Sequence, residues 1–168
     1  LGDASVDVVV SGLVLNFVPE PRAALAEMAR VTGREGIIAA YVWDYAGKME
    51  LMRHFWDAAV ELDAHAATLD EGLRFPLCRP EALEKLFAGA GLEAIEVRPI
   101  DIPTPFADFG DYWQPFLGGQ GPAPAYAMSL DEGARVRLRE RIRARIPVAA
   151  DGSISLTARA WAVRAAIA

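Results

Sequence analysis

A dense run of β-branched residues near the start of the chain most constrains its fold. Residues 6–12 read VDVVVSG, and this mostly apolar pattern predicts a strand buried on both faces, as in a parallel sheet. Pro21 then stands where an amphipathic helix begins, and residues 37–43 form a second β-branched and aromatic run. Strand, helix and strand in this order predict a β-α-β unit with parallel strands and a right-handed crossover.

Further helices and strands are predicted after this unit. Helical periodicity recurs in four segments, at 49–62, 80–90, 106–116 and 129–146. Two more strands are predicted at 92–102 and 154–163. Pro103 and Pro105 are expected to end the first of these strands, and Ser129 with Glu132 to form a capping box at the last helix. Residues 118–124, rich in glycine and proline, are predicted to form a loop.

Composition excludes several classes of protein. The 168 residues predict a single domain, 1–168, in which 48–90 and 104–147 are mainly helical insertions. A net charge of -6 argues against a nucleic-acid partner, and no apolar run approaches the roughly 20 residues of a membrane span. Cys78 is the single cysteine, which excludes an internal disulfide and favours the cytoplasm. The chain has only two histidines in addition to this cysteine, so a metal site of Cys and His ligands is not expected.

The sequence lacks the glycine-rich loops that hold phosphates or dinucleotides. In α/β nucleotide-binding folds such a loop follows the first strand, but neither G-x-G-x-x-G nor a P-loop is present. Residues 118–121 (GGQG) do not stand between a strand and the start of a helix, so we do not interpret them as a phosphate loop.

Several segments, in order, resemble the small-molecule branch of the class I S-adenosylmethionine-dependent methyltransferases. Residues 3–7 (DASVD) resemble the D-x-S-F-D segment that leads into the fourth strand of that family, and Glu20-Pro21 resembles its D-P. Residues 33–37 are similar to the K-P-G-G turn before strand five, and 83–92 to the helix and turn before strand six. Residues 158–163 resemble the closing antiparallel strand.

This resemblance implies a fold and a cofactor. The expected fold is a partial Rossmann-like methyltransferase sheet, parallel with an antiparallel last strand, flanked by helices and carrying a helical lid-like insertion. The family's first three strands, its glycine-rich loop and its ribose-binding acidic residue have no counterpart here, so the resemblance is to a carboxy-terminal, truncated part. The implied cofactor is S-adenosylmethionine, and the implied substrate is a small-molecule methyl acceptor.

The resemblance also implies where ligands bind. Ser11, Gly12 and Leu13 would line the methionine end of the cofactor, the alternative being an ordinary strand-to-loop transition. Asn16 and Phe17 follow in the loop and would face a ligand or pack at the helix entry.

Substrate and catalytic candidates are less sharply defined. Trp43, Asp44 and Tyr45 end the second strand. Trp43 and Tyr45 are candidates for substrate contact, and Asp44 is a candidate base or a cap or turn residue. His54 is the other candidate base, or a structural histidine. Tyr112 and Trp113 belong to an aromatic stripe that would contact substrate or form helix core packing.

Two functions from different classes therefore remain open. The first is methyl transfer, which would require an amino-terminal half outside this sequence. The second is a non-catalytic methyltransferase-like module for interaction or dimerisation. In either case the strand at 6–10 would expose an apolar edge, so we expect a partner for it: a further segment, a rearranged terminal segment, or a second copy in a homo-oligomer.

Overall fold

The computed structural model describes residues 1–167. The strands are Val6–Gly12 (β1), Thr32–Trp43 (β2), Glu93–Phe106 (β3) and Ile154–Ala166 (β4). The α-helices are Pro21–Val31 (α1), Glu50–Leu62 (α2), Glu71–Arg74 (α3), Pro80–Ala88 (α4), Phe109–Trp113 (α5), Pro122–Ser129 (α6) and Glu132–Arg143 (α7). Short 3-10 helices lie at Leu15–Phe17, Ala64–Thr68 and Gln114–Leu117. No helix in the described part of the chain is long and apolar enough to cross a membrane.

The four strands form one mixed sheet in the order β1-β2-β4-β3. β1 runs parallel to β2, with Gly12 opposite Tyr41, and β4 runs antiparallel to β2, with Ala162 opposite Tyr41. The α/β prediction, with parallel strands and an antiparallel last strand, is confirmed. The β-α-β unit predicted at the start of the chain is also confirmed, since β1, α1 and β2 follow each other as the sequence pattern indicates.

The chain divides into two compact units. Unit 1 contains Leu1–Asp44, Phe75–Ile100 and the stretch from Arg159 onward, and unit 2 contains Tyr45–Arg74 and Asp101–Ala158. Of the segment 48–90, α2 and α3 therefore belong to unit 2, whereas α4 belongs to unit 1.

In unit 1, one face of the sheet is buried and the other is open. Ile38, Ala40 and Val42 alternate along β2 on one face, and each is fully buried. Helix α1 contacts both β2 and α4. On the opposite face, Val8 and Val10 of β1 are 56% and 60% exposed, so the prediction that this strand is buried on both faces was wrong.

Unit 2 is mainly helical and encloses an aromatic core. Its largest fully buried side chains include Phe55, Trp56, Tyr112 and Phe116. Phe55 and Phe116 stack with ring centroids 4.5 Å apart. The aromatic stripe predicted at 106–116 thus supplies this core, although it forms α5 and a 3-10 turn rather than one helix.

Some predicted boundaries were wrong. β3 continues through Pro103 and Pro105 to Phe106. Helix α7 ends at Arg143, and its N-cap is Asp131, whose Oδ1 accepts from the Ala134 N–H at 2.7 Å. The predicted capping residue, Ser129, instead ends α6, a helix that the proline-rich composition of 118–124 concealed.

Candidate functional site

The carboxyl ends of β1 and β2 form one edge of unit 1. Gly12 ends β1, and the Leu13 N–H donates to the Tyr41 carbonyl at 2.8 Å. Leu13 has a φ of 57°, so the chain turns out of the sheet at this residue. Ser11 to Leu13 therefore occupy the end of a parallel strand, which is where open α/β sheets bind ligands. Trp43 ends the neighbouring strand.

Gly12 lies in close contact with the side chain of Tyr41. A Cβ placed on Gly12 would lie 2.5 Å from the Tyr41 hydroxyl oxygen and 2.7 Å from the ring carbon that carries it. The resemblance implied that this glycine admits a cofactor. In the structure, the space beside its Cα is filled by Tyr41, so the close approach is to a side chain of the neighbouring strand.

The loop after β1 contains an unsatisfied polar group. Asn16 lies in the 3-10 helix Leu15–Phe17, which the fully buried Leu15 anchors. The side-chain nitrogen Nδ2 of Asn16 is buried and has no hydrogen-bond partner within residues 1–167. Buried amide donors are nearly always paired, and an unpaired one costs about 1–3 kcal/mol. A carboxylate or hydroxyl of a bound ligand is the kind of acceptor that would satisfy it.

Phe17 gives this edge an aromatic surface. It is 55% exposed, and its ring meets Phe75 edge to face with centroids 5.0 Å apart. Phe75 opens the stretch of unit 1 that leads to α4. Packing explains one side of the Phe17 ring, and the exposed remainder is free for a ligand.

Asp44 lies buried just after β2. It is 6% exposed, and its N–H donates to the Arg159 carbonyl at 2.9 Å. It does not cap α2, whose N-cap is Met49. Burial, together with the nearby charge of Asp44, raises the pKa of the Cys78 thiol to about 12. Cys78 is therefore neutral and unreactive at physiological pH.

The other predicted site residues belong to unit 2. The Tyr45 carbonyl accepts from Nη1 of Arg53 at 2.9 Å. His54 is half-buried. This burial lowers its pKa, and its effect is larger than that of the charges of Glu50 and Asp57, which act to raise the pKa. Its imidazole is therefore neutral at pH 7.

Two of the substrate candidates lie in the core of unit 2. Tyr112 is fully buried and donates its hydroxyl to the Leu51 carbonyl at 2.9 Å. Trp113 is 6% exposed within the same apolar cluster. Core packing, the alternative interpretation of the aromatic stripe, accounts for both positions.

A buried polar cluster in unit 2 had no sequence signal. Asp70 and Glu71 are 5% and 4% exposed, and their carboxylates accept from Arg53 and from the Trp56 ring N–H respectively. Burial raises the pKa of Glu71. Nothing in the local sequence distinguishes these adjacent acids from an exposed pair, and only the spatial position of Arg53 and Trp56 reveals the cluster.

Comparison with known proteins identifies a family match at the start of the chain. Residues 1–40 match a family model described as a methyltransferase domain. No curated protein matches the chain.

Three solved structures share its fold at low sequence identity. A candidate methyltransferase of an antibiotic biosynthesis pathway from Anabaena variabilis has a TM-score of 0.54 at 18% identity, covering 96% of this chain and 68% of that one. A candidate methyltransferase from Bacillus halodurans has a TM-score of 0.52 at 14% identity, covering 99% and 66%. The YcgJ protein from Bacillus subtilis has a TM-score of 0.50 at 15% identity, covering 99% and 65%.

This chain thus spans about two thirds of the length of the solved structures it resembles. The match over 1–40 and the shared fold confirm the predicted resemblance to the class I S-adenosylmethionine-dependent methyltransferases.

Proposed function

We propose that this chain is part of an enzyme that transfers a methyl group from S-adenosylmethionine to a small molecule. Ser11, Gly12 and Leu13 line the methionine end of the cofactor in this proposal, and Asn16 donates a hydrogen bond to it. The observation that carries it is the buried, unpaired Nδ2 of Asn16 beside the carboxyl ends of two parallel strands. A polar ligand at this edge fits the donor that the fold leaves unsatisfied.

Methyl transfer by direct displacement requires little from the protein beyond binding and aligning the two reactants. When bound, the cofactor supplies an electrophilic methyl group on a sulfonium, which a nucleophile of the substrate displaces directly. The residues of the chain hold the two reactants in line and exclude water. Asp44 is the proposed proton acceptor for the substrate nucleophile, since it is a buried carboxylate at the strand ends. His54, neutral because burial lowers its pKa, is the second candidate base.

The methyl acceptor is proposed to contact aromatic residues. Phe17 and Trp43 carry this part of the proposal, because both stand at the ends of the parallel strands in unit 1. Tyr45 follows β2 directly and is retained as a candidate. Tyr112 and Trp113 are weaker candidates for contact with the methyl acceptor, since the core of unit 2 encloses both.

We also propose that a further polypeptide segment completes the sheet of unit 1. None of the described residues pairs with the outer side of β1, which is the first strand in the order β1-β2-β4-β3. The Leu13 N–H points toward β2, and alternation along the strand therefore directs the N–H groups of Val8 and Val10 outward. An apolar edge with free backbone donors favours pairing with another strand.

The test is calorimetric titration with S-adenosylmethionine. The 168-residue chain is compared with a longer form that carries the preceding segment of its reading frame. We expect binding by the longer form, and its Asn16→Ala variant to bind about threefold to tenfold more weakly, as loss of one hydrogen bond predicts. Gln120→Ala, which removes an exposed amide from a loop, is the control.

Stability separates a ligand role of Asn16 from a structural one. Because Nδ2 has no partner in the fold, Asn16→Ala should unfold at the same denaturant concentration as the wild type, or a higher one. Failure of both forms of the chain to bind S-adenosylmethionine would defeat the enzyme proposal.

The second candidate is a non-catalytic methyltransferase-like module for interaction or dimerisation. The exposed edge of β1, with Val8 and Val10 in solvent, is the observation that favours it. A stable dimer in light scattering, together with no cofactor binding by either form of the chain, would support this alternative.

A further inference from the structure

Unit 2 contains a cavity that the proposed methyl transfer does not use. Its volume is about 230 Å³, and it opens between helices α2, α6 and α7. Ala59 and Leu138 are almost fully buried at its floor. Leu62, Leu130 and Ala134 add further apolar surface. The cavity is therefore largely apolar and accessible from solvent.

Two opposite charges line this cavity without neutralising each other. Asp63 contributes a carboxylate whose Oδ2 accepts from the Tyr126 hydroxyl at 3.4 Å and whose Oδ1 accepts from the His65 N–H. Arg137 contributes a guanidinium that makes no ion pair or hydrogen bond with any other described residue. Asp63 and Arg137 are thus both available to a ligand, and they are not within ion-pair distance of one another.

We propose that this cavity binds a small zwitterion with an aliphatic body, such as a free α-amino acid. The ammonium group lies at Asp63 and the Tyr126 hydroxyl, the carboxylate at Arg137, and the aliphatic side chain on Ala59 and Leu138. A guanidinium presents paired donors that match a carboxylate, which favours this orientation. A volume of about 230 Å³ corresponds to about eight waters of liquid, which leaves room for a small aliphatic amino acid such as leucine.

The complete chain is titrated with L-leucine and with three analogues, and calorimetry or ligand-observed NMR measures the binding. 4-Methylpentanoate lacks the amine, 3-methylbutylamine lacks the carboxylate, and glycine lacks the aliphatic body. We expect L-leucine to bind and each analogue to bind more weakly. Removing one charge should weaken binding by about threefold to fivefold, the effect of an ion pair near the protein surface.

Variants assign the contacts. Arg137→Gln should weaken the binding of L-leucine but leave that of 3-methylbutylamine unchanged, because the amine has no carboxylate to lose. Asp63→Asn keeps an acceptor for the His65 N–H. It should weaken the binding of L-leucine but leave that of 4-methylpentanoate unchanged, because the latter has no ammonium group. Arg34→Gln removes the same charge from an exposed arginine of unit 1 and is the control.

A cavity-filling variant tests the location without changing charge. Ala134→Leu places extra methyl groups at the cavity wall and should abolish binding, while circular dichroism checks that the helices remain. The proposal is overturned if L-leucine does not bind the wild type, or if Arg137→Gln and Ala134→Leu bind it as the wild type does. Loss of S-adenosylmethionine binding is a separate readout, so failure of one proposal does not imply failure of the other.

Discussion

Arg53 holds Asp70 through two parallel hydrogen bonds. Nη1 of the arginine donates to Oδ1 at 2.8 Å, and Nη2 donates to Oδ2 at 2.7 Å. The same carboxylate accepts from the Gly72 N–H at 2.8 Å, and the same guanidinium donates to the Tyr45 carbonyl. Asp70 is 5% exposed, so this pair fixes the segment before α3 to helix α2 in an environment shielded from water.

Breaking this pair should destabilise unit 2 strongly. Arg53→Ala leaves the carboxylate of Asp70 buried without its cation, and we expect a loss of about 3 kcal/mol in the free energy of unfolding. Urea unfolding monitored by circular dichroism measures it. Arg30→Ala removes an arginine that pairs with Asp3 and Glu27 on the surface, where water screens the charges, and should change stability much less. Equal effects from the two substitutions would contradict the shielding of the Arg53 pair.

The contact between Gly12 and Tyr41 predicts a second stability effect. A Cβ at Gly12 would overlap the outer end of the Tyr41 ring, which is 37% exposed and has room to shift, so Gly12→Ala should lower the free energy of unfolding by only about 1 kcal/mol. Adding Tyr41→Ala should recover part of this loss, because it removes the overlapping atoms. Gly2→Ala is the matched control, since a Cβ there has nothing within 4 Å. An unchanged midpoint for Gly12→Ala would show that Tyr41 moves aside at no cost.

The β-α-β unit could be predicted from sequence because its signals are local. The β-branched residues of β1, the proline at the first position of α1 and the apolar residues of β2 each favour their own element without help from distant residues. The same holds for α2, which the spacing of Phe55, Trp56 and Ala59 predicts.

Tertiary contacts decided what the local pattern did not. Pro103 and Pro105 do not end β3, since a proline is tolerated where its nitrogen is not needed by a neighbouring strand. Asp131 caps α7 although Ser129 and Glu132 have capping-box spacing, and Ser129 instead donates to the Tyr126 carbonyl. Competing caps two residues apart cannot be ranked from sequence alone.

The candidate site was only partly predictable for the same reason. Strand-end residues such as Ser11 and Leu13 follow from strand assignment together with the rule for parallel sheets. For Asn16 the sequence left two roles open, contact with a ligand or packing at the helix entry, and only its unpaired Nδ2 favours a ligand role. The clusters around Asp70 and Asp63 join residues far apart in sequence, which no periodicity reveals.

Glu71 should make stability depend on pH. Its pKa is raised in the fold by burial, so between the ordinary value of 4.5 and the raised value the folded state binds more protons than the unfolded state. Its contribution to stability is therefore fully present below about pH 4.5 and is lost as pH rises through the folded pKa.

Glu71→Gln removes this titration and keeps an oxygen that can accept from the Trp56 ring N–H. We expect the variant to be more stable than the wild type at pH 7, with the difference shrinking toward pH 4. Urea midpoints at pH 4, 5.5 and 7 measure it, and the exposed Glu84→Gln controls for the loss of one negative charge. A stability difference that is constant over this range would exclude a titrating Glu71.

Tyr112 distinguishes core packing from substrate contact. Its hydroxyl is buried and donates to the Leu51 carbonyl, so Tyr112→Phe leaves that acceptor unpaired and should cost about 1–2 kcal/mol in the free energy of unfolding. Tyr41→Phe removes a hydroxyl from a partly exposed ring and should have a smaller effect on stability. Cofactor titration of the longer chain should be unchanged by Tyr112→Phe once the protein is folded. A Tyr112→Phe variant as stable as the wild type but impaired in methyl transfer would instead place this side chain against the substrate.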